Sequence, residues 1–207
     1  MDKQLVFIAG SKGSGSSLLA NLLLSGEGMD AGGRHGWHGE NLDLCRICEG
    51  YRKAVKLRDE ERKAKRIEEL EAQAREFYTY LFEHPWIVLK TPHLCYALGF
   101  MWRLAPAEFT KHLLVPMRTP ANTRQRMQKD GNGDAYNLLG DMYGAVFTEM
   151  AKLVDARPLF VQYERMMQSP NLVIGEVVDH LKYDREDTID VSIVNDGLWR
   201  HRPGTGE

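Results

Sequence analysis

The stretch that most limits how this chain can fold runs from Leu5 to Leu23. An apolar segment, Leu5-Val6-Phe7-Ile8-Ala9, breaks into Gly10-Ser11-Lys12-Gly13-Ser14-Gly15-Ser16-Ser17 and then into a leucine-rich run. Consecutive apolar residues suit a strand buried on both faces. Leu18, Leu19, Leu22 and Leu23 recur at the helical period and give one apolar stripe. A strand, a tight Gly/Ser turn and a helix, in that order, open a sheet whose helices cross over its faces.

Three more apolar runs follow, at Trp86–Leu89, His112–Met117 and Leu159–Tyr163, and long helical patterns separate them. This alternation predicts an α/β fold of the P-loop type, with three layers. Its sheet is short and mainly parallel, with four to five strands flanked by helices. Residues 41 to 83 read as a mostly helical insertion, in which Ile67, Leu70, Ala74, Phe77 and Leu81 form a packing seam. No linker or repeat divides the chain, so residues 1–207 are expected to form a single domain.

A strand that ends in a Gly/Ser turn and opens a helix aims backbone N–H groups and the positive end of the helix dipole at one point. That is an anion site, usually for phosphate. Gly10, Gly15 and Ser17 fit three fixed positions of the nucleotide-triphosphatase pattern G-x-x-x-x-G-K-[ST], but Ser16 stands where its lysine belongs. No apolar run ends in an aspartate suited to Mg²⁺; the residues at their ends are Gly10, Lys90, Arg118 and Glu164. An ordinary ATPase or GTPase is therefore disfavoured. Ligands of open α/β sheets sit beyond the carboxyl ends of the strands, and Lys12, Lys90 and Arg118 all fall there. The pattern is a polyanion site neutralised by side chains rather than by a metal.

Several segments in order resemble the sulfotransferases that use 3′-phosphoadenosine 5′-phosphosulfate (PAPS), in their bacterial form. GSKGSGSSLLANLL is similar to the family's 5′-phosphosulfate loop, and VLKTPHLCYALGFMWRL to its lysine-proline segment. LLVPMRTPANTRQRM resembles the 3′-phosphate segment, FVQYERMMQSP the last strand and turn, and GLWRHRP the Arg-rich ending. The resemblance implies transfer of a sulfuryl group from PAPS to an acceptor hydroxyl or amine, with 3′,5′-adenosine bisphosphate (PAP) as product and no metal. It implies cofactor contacts from Lys12, Gly13, Ser14, Gly15, Ser16, Ser17, Arg118 and Arg126. Lys12 is also a catalytic candidate, with Lys90 on the sulfuryl oxygens and a base drawn from the Gly-rich loop, either His38 or Glu40. His35 and His93 are further candidates for the base, and Trp37, Tyr136, Tyr143 and Trp199 for an acceptor pocket. Tyr163-Glu164 reads as structural.

The chain departs from the family pattern twice. Gly13 stands where the family places its loop cation, and Lys12 comes one position early. Arg126 replaces the 3′-phosphate serine, with Arg124 as a competitor. Two other readings stay open: a P-loop kinase-like phosphotransferase, and a non-catalytic PAP- or PAPS-binding protein on the same fold.

Composition narrows the partners. A formal net charge of −2 over 207 residues gives no bulk reason for nucleic-acid binding. No apolar stretch reaches the roughly 18 residues of a membrane span. The N-terminus runs directly into a strand-like segment, so no signal peptide is expected. Cys45, Cys48 and Cys95 are too few for a disulfide framework, and Cys45-x-x-Cys48 lacks a second pair. They read as buried thiols of a cytoplasmic protein. A small-molecule, carbohydrate or lipid acceptor fits, and oligomeric state is left open. Arg52 to Arg66, with eight Lys/Arg and three Asp/Glu, reads either as a solvated helix face or as a basic arm over an anionic ligand.

Overall fold

The structure is a computed structural model that describes residues 3–33, 40–129, 135–153 and 155–194. Five strands, β1 (Lys3–Ile8), β2 (Met29–Asp30), β3 (Trp86–Lys90), β4 (Phe109–Met117) and β5 (Pro158–Gln162), form one sheet in the order β2-β3-β1-β4-β5. Every pairing is parallel: Leu5 lies opposite Ile87 and Lys111, and Leu114 opposite Leu159. The expected α/β architecture is the one observed. The four long runs appear as strands within a few residues of their sequence-based limits. The short edge strand β2 is the addition.

Alternation along the central strand divides the core in two. Leu5 and Phe7 of β1 face a cluster with Leu89, Leu113 and Val115. It is covered by α2 (Leu42–Ala54), α3 (Glu60–Tyr80), α4 (Leu98–Leu104) and α6 (Ala135–Met150). Val6 and Ile8 point the other way, onto α1 (Ser16–Leu24) and α8 (Pro170–Leu181), with Val88, Leu114 and Val161. Period-two side-chain direction on a sheet buried on both faces gives the three layers. The seam on α3 is real, since Leu70, Ala74 and Phe77 are buried, as is Leu81 in the turn after the helix.

Local signals set the helix starts. Asn41 caps α2 by accepting the Leu44 N–H at 2.8 Å, and Asp59 caps α3 by accepting that of Arg62 at 3.0 Å. Asn41 is fully buried, and its amide donates to Ala31 O at 3.0 Å while its backbone N–H donates to Lys90 O at 3.1 Å. The entry to α2 is thereby fastened to the carboxyl end of β3. On the opposite edge, α5 (Pro120–Lys129) follows β4, and α7 (Tyr163–Gln168) follows β5 without a break.

Candidate functional site

Because all strands run the same way, the segments that follow β1, β3, β4 and β5 meet on one edge of the sheet. A cleft there is lined by Ser11 to Gly13, Gly15 to Leu18, Glu40, Lys90, Pro92, Arg118, Arg126 and Tyr163. Residues up to 152 positions apart in sequence, Ser11 and Tyr163, thus converge on the loop that opens α1.

The loop geometry is demanding. Gly13 and Gly15 have φ of +80° and +98°, values that L side chains rarely adopt. Gly15 has a second constraint: a Cβ there would stand 2.5 Å from the Tyr163 ring. The first intrahelical bond of α1 runs from Leu19 N–H to Gly15 O at 3.0 Å, so the N–H groups of Ser16 and Ser17 precede the helical ladder at its positive end. Ser14 differs from its serine neighbours. Its side chain is fully buried, and a Cβ on Gly10 would lie 2.6 Å from its hydroxyl, so it packs under the loop rather than lining the cleft.

Lys90 is the most unusual residue of the site. Its side chain is 2% exposed, and its ammonium donates to Ser17 Oγ at 3.0 Å and meets Glu40 Oε1 at 2.8 Å. Burial pulls this lysine below its usual range, while the charge and hydrogen bond of Glu40 oppose that shift. His93 lies in the turn after β3; burial lowers its pKa, Glu49 and Glu40 oppose, and Arg52 and Lys53 add to the lowering.

On the other wall, Arg118 follows β4. Its guanidinium lies 4.3 Å from the centre of the Tyr163 ring, and Nη1 donates to Gly13 O at 3.4 Å. Tyr143 braces its backbone by donating to Arg118 O at 3.2 Å. Met142 Sδ accepts the Lys12 N–H at 3.4 Å. Of the two competing arginines, Arg126 lines the cleft, with its Cγ 3.5 Å from where a Gly13 Cβ would stand. Glu164 Oε1 accepts from Thr119 N–H, Thr119 Oγ1 and Asn122 Nδ2 at 3.1, 3.0 and 2.9 Å, tying the start of α7 to the start of α5. Burial raises the Glu164 pKa, but these donors outweigh it and hold the carboxyl below its ordinary value.

The structure therefore brings Lys12, Gly13, Gly15, Ser16, Ser17, Glu40, Lys90, Arg118 and Arg126 together, with the side chain of Ser14 turned away. Trp37, His35, His38 and Trp199 lie outside the described residues, as does the side chain of Tyr136. Tyr143 supports Arg118 instead of lining the cleft. Sequence reasoning missed Ser11 and the ring of Tyr163 as cleft walls. Tyr163 follows β5 just as Arg118 follows β4, and that position was the available signal. Cys48 and Cys95 are buried and Cys45 is half-buried, all as free thiols. Among the described residues no group of His, Cys, Asp and Glu is arranged to hold a metal, and no helix is long and apolar enough to cross a membrane.

Two solved structures share this architecture. The sulfotransferase domain from the curacin biosynthetic pathway superposes with a TM-score of 0.56, covering 90% of this chain and 76% of its own, at 19% identity. The sulfotransferase domain from the Synechococcus PCC 7002 olefin synthase gives a TM-score of 0.57, covering 100% and 90%, at 15% identity. The chain has the fold of these sulfotransferase domains. At such identities the likeness is one of fold. No family model and no curated protein sequence matches the chain.

Proposed function

We propose that the chain transfers a sulfuryl group from PAPS to a hydroxyl or amine of a small-molecule, carbohydrate or lipid acceptor. The observation that carries this reading is the buried Lys90 ammonium. It is held against Ser17 and Glu40 at the mouth of a phosphate-type loop, in a cleft that also holds Lys12, Arg118 and Arg126. Protein cations gathered this way suit a nucleoside with phosphates at both ends. The serine at position 16 and the absence of any aspartate among the described cleft-lining residues argue against Mg²⁺-triphosphate chemistry; Asp30, which ends the edge strand β2, accepts the Gly32 N–H at 2.6 Å instead.

The residues fit such a group. Ser11 Oγ and Arg118 Nε are buried donors of the cleft without a hydrogen-bond partner, and an anion seated there would supply acceptors. In this reading the N–H groups of Ser16 and Ser17, with Lys12, hold the 5′-phosphate end, and Arg118 and Arg126 hold the 3′-phosphate. When bound, PAPS supplies an activated sulfuryl group whose S–O bond to phosphate breaks as the acceptor bonds to sulfur. Lys90 and Lys12 donate to the oxygens that gain charge. Glu40 accepts the proton that the acceptor loses, beside the ammonium that stabilises the other partner.

The test compares melting temperatures with PAP plus chelator against ATP plus Mg²⁺, followed by transfer of labelled sulfate from PAPS to an acceptor panel. A ligand at a hundredfold excess over Kd adds about 2.7 kcal/mol, which for a domain of this size raises Tm by roughly 5–10 °C. A shift with PAP alone and label transfer are expected. A shift with Mg-ATP only would replace this reading with a phosphotransferase. PAP binding without transfer to any acceptor would replace it with a binding protein.

A further inference from the structure

The stretch from Arg52 to Arg66, which the proposed chemistry does not use, is unlike the rest of the surface. Its eight Lys/Arg and three Asp/Glu give +5 in a chain of formal net charge −2, so the remaining residues carry −7. Two of its three carboxylates are occupied locally. Asp59 caps α3, and Glu60 meets Lys63 at 3.3 Å. Lys53 pairs with Glu49 at 2.7 Å and Arg66 with Glu69 at 2.6 Å, while Arg52 lies over the Tyr96 ring. Lys56, Arg58, Arg62 and Lys65 are exposed and have no carboxylate partner among the described residues.

The turn between α2 and α3 is ordered by its own backbone. The N–H groups of Val55, Lys56 and Leu57 donate to the carbonyls of Tyr51, Lys53 and Ala54 at 3.0, 3.2 and 3.0 Å. This wrap holds Val55 and Leu57 outward, 39% and 41% exposed, alternating with Lys56 and Arg58. A loop under no demand would have no reason to fix two aliphatic side chains among unpaired cations.

We propose that this helix–turn–helix tip docks on an anionic membrane surface. Lipid phosphates and carboxylates meet the cations, and the aliphatic pair enters the boundary between headgroups and acyl chains. The complementarity is two-part. Nucleic acid would leave Val55 and Leu57 with no apolar counterpart, and the tip has no aromatic residue to stack on bases. An acidic protein offers carboxylates at fixed positions, whereas these four cations sit at the ends of long, unconstrained side chains, Lys56 and Arg58 in the turn and Arg62 and Lys65 on α3. Mobile lipid headgroups can follow such side chains. The tip stands at the far end of α2 from Glu40, roughly 20 Å away at 1.5 Å per residue, so docking leaves the cleft clear. The inference is independent of the reaction proposed above.

The test is co-sedimentation of the full chain with phosphatidylcholine vesicles, with and without phosphatidylserine at about a third of the lipid. Binding is expected to the mixed vesicles only, and to fall as salt is raised. K56E/R58E is expected to lower that affinity at least about 25-fold, about 2 kcal/mol at roughly 1 kcal/mol per cation. V55S/L57S is expected to lower it about tenfold. Every substituted side chain is exposed, so an unchanged melting temperature checks that each variant folds. Equal binding to both vesicle types, or none to either, would overturn the proposal. So would undiminished binding by K56E/R58E. Capture by polyglutamate with no vesicle binding would assign the tip to an acidic protein instead.

Discussion

Glu40 Oε1 stands 2.8 Å from the Lys90 ammonium, and through this contact the start of α2 meets the end of β3. The two groups differ in setting: the lysine side chain is 2% exposed and the glutamate 26%. A buried cation with a half-open counter-ion can exchange that counter-ion for a ligand anion without losing its charge compensation. The carboxylate released toward the cleft is then available to take a proton.

Glu40→Gln separates these roles. Loss of a positioned base lowers turnover by about 10²–10⁴, while PAP affinity stays within a few-fold because no phosphate donor is removed. Titration calorimetry beside steady-state rates reads both. Unchanged turnover would reduce Glu40 to a counter-ion.

Arg118→Ala is expected to weaken PAP binding by about 1.5–3 kcal/mol, the worth of a charge-assisted hydrogen bond. The same variant should leave adenosine 5′-phosphate nearly unaffected. Its stacking on Tyr163 and its unpartnered Nε place this guanidinium at the wall of the cleft. Equal losses for both nucleotides would remove the 3′-phosphate assignment.

Gly15→Ala should cost about 2–5 kcal/mol, the sum of a left-handed backbone penalty and overpacking against Tyr163. The two components separate in the double variant. Adding Tyr163→Ala relieves the 2.5 Å approach but not the φ of +98°. Its ΔΔG is therefore expected to be smaller than the sum of the single substitutions. Simple additivity in urea denaturation would show that the ring does not constrain the loop.

At the opposite edge of the sheet, burial pushes His112 down to about 4, with His180 and Lys182 adding to the effect. The fold thus favours the neutral ring. Its stability is complete above the unfolded pKa near 6.5 and is lost as pH falls through 4. For a half-buried ring the loss is about 1–2 kcal/mol after solvent screening. His112→Gln should show a correspondingly shallower fall in urea midpoint between pH 7 and pH 4 than the wild-type chain. Parallel curves would assign the acid sensitivity to other groups.

How much of this was readable beforehand depends on the kind of signal. The strands at Leu5, Trp86 and His112 were legible because burial on both faces leaves a nearly unbroken apolar run; the edge strand at Leu159 has the same apolar run although Phe160 is 49% exposed. β2 was not, since Met29-Asp30 is too short to carry any period and becomes a strand only by pairing beside β3. Gly13 and Gly15 announced a turn. The need for glycine at 15 also comes from a ring 148 positions away, which no local spacing encodes. Lys90 was placed correctly at a strand end. Its pairing with Glu40 depends on the buried amide of Asn41, which fastens α2 to that strand, a tertiary bond invisible in sequence.

The strand order has a consequence for synthesis of the chain. β1 carries the loop, yet its partners on either side are β3 and β4, so Leu5 waits for Ile87 and then for Lys111. Pairings this distant in sequence make folding slow relative to helical domains. A growing polypeptide that stops before Phe109 leaves the central strand with one bare edge, and lacks the Arg118 wall altogether. The cleft thus arises late and as a whole, so an incomplete nascent chain carries an aggregation-prone strand rather than a partly built site.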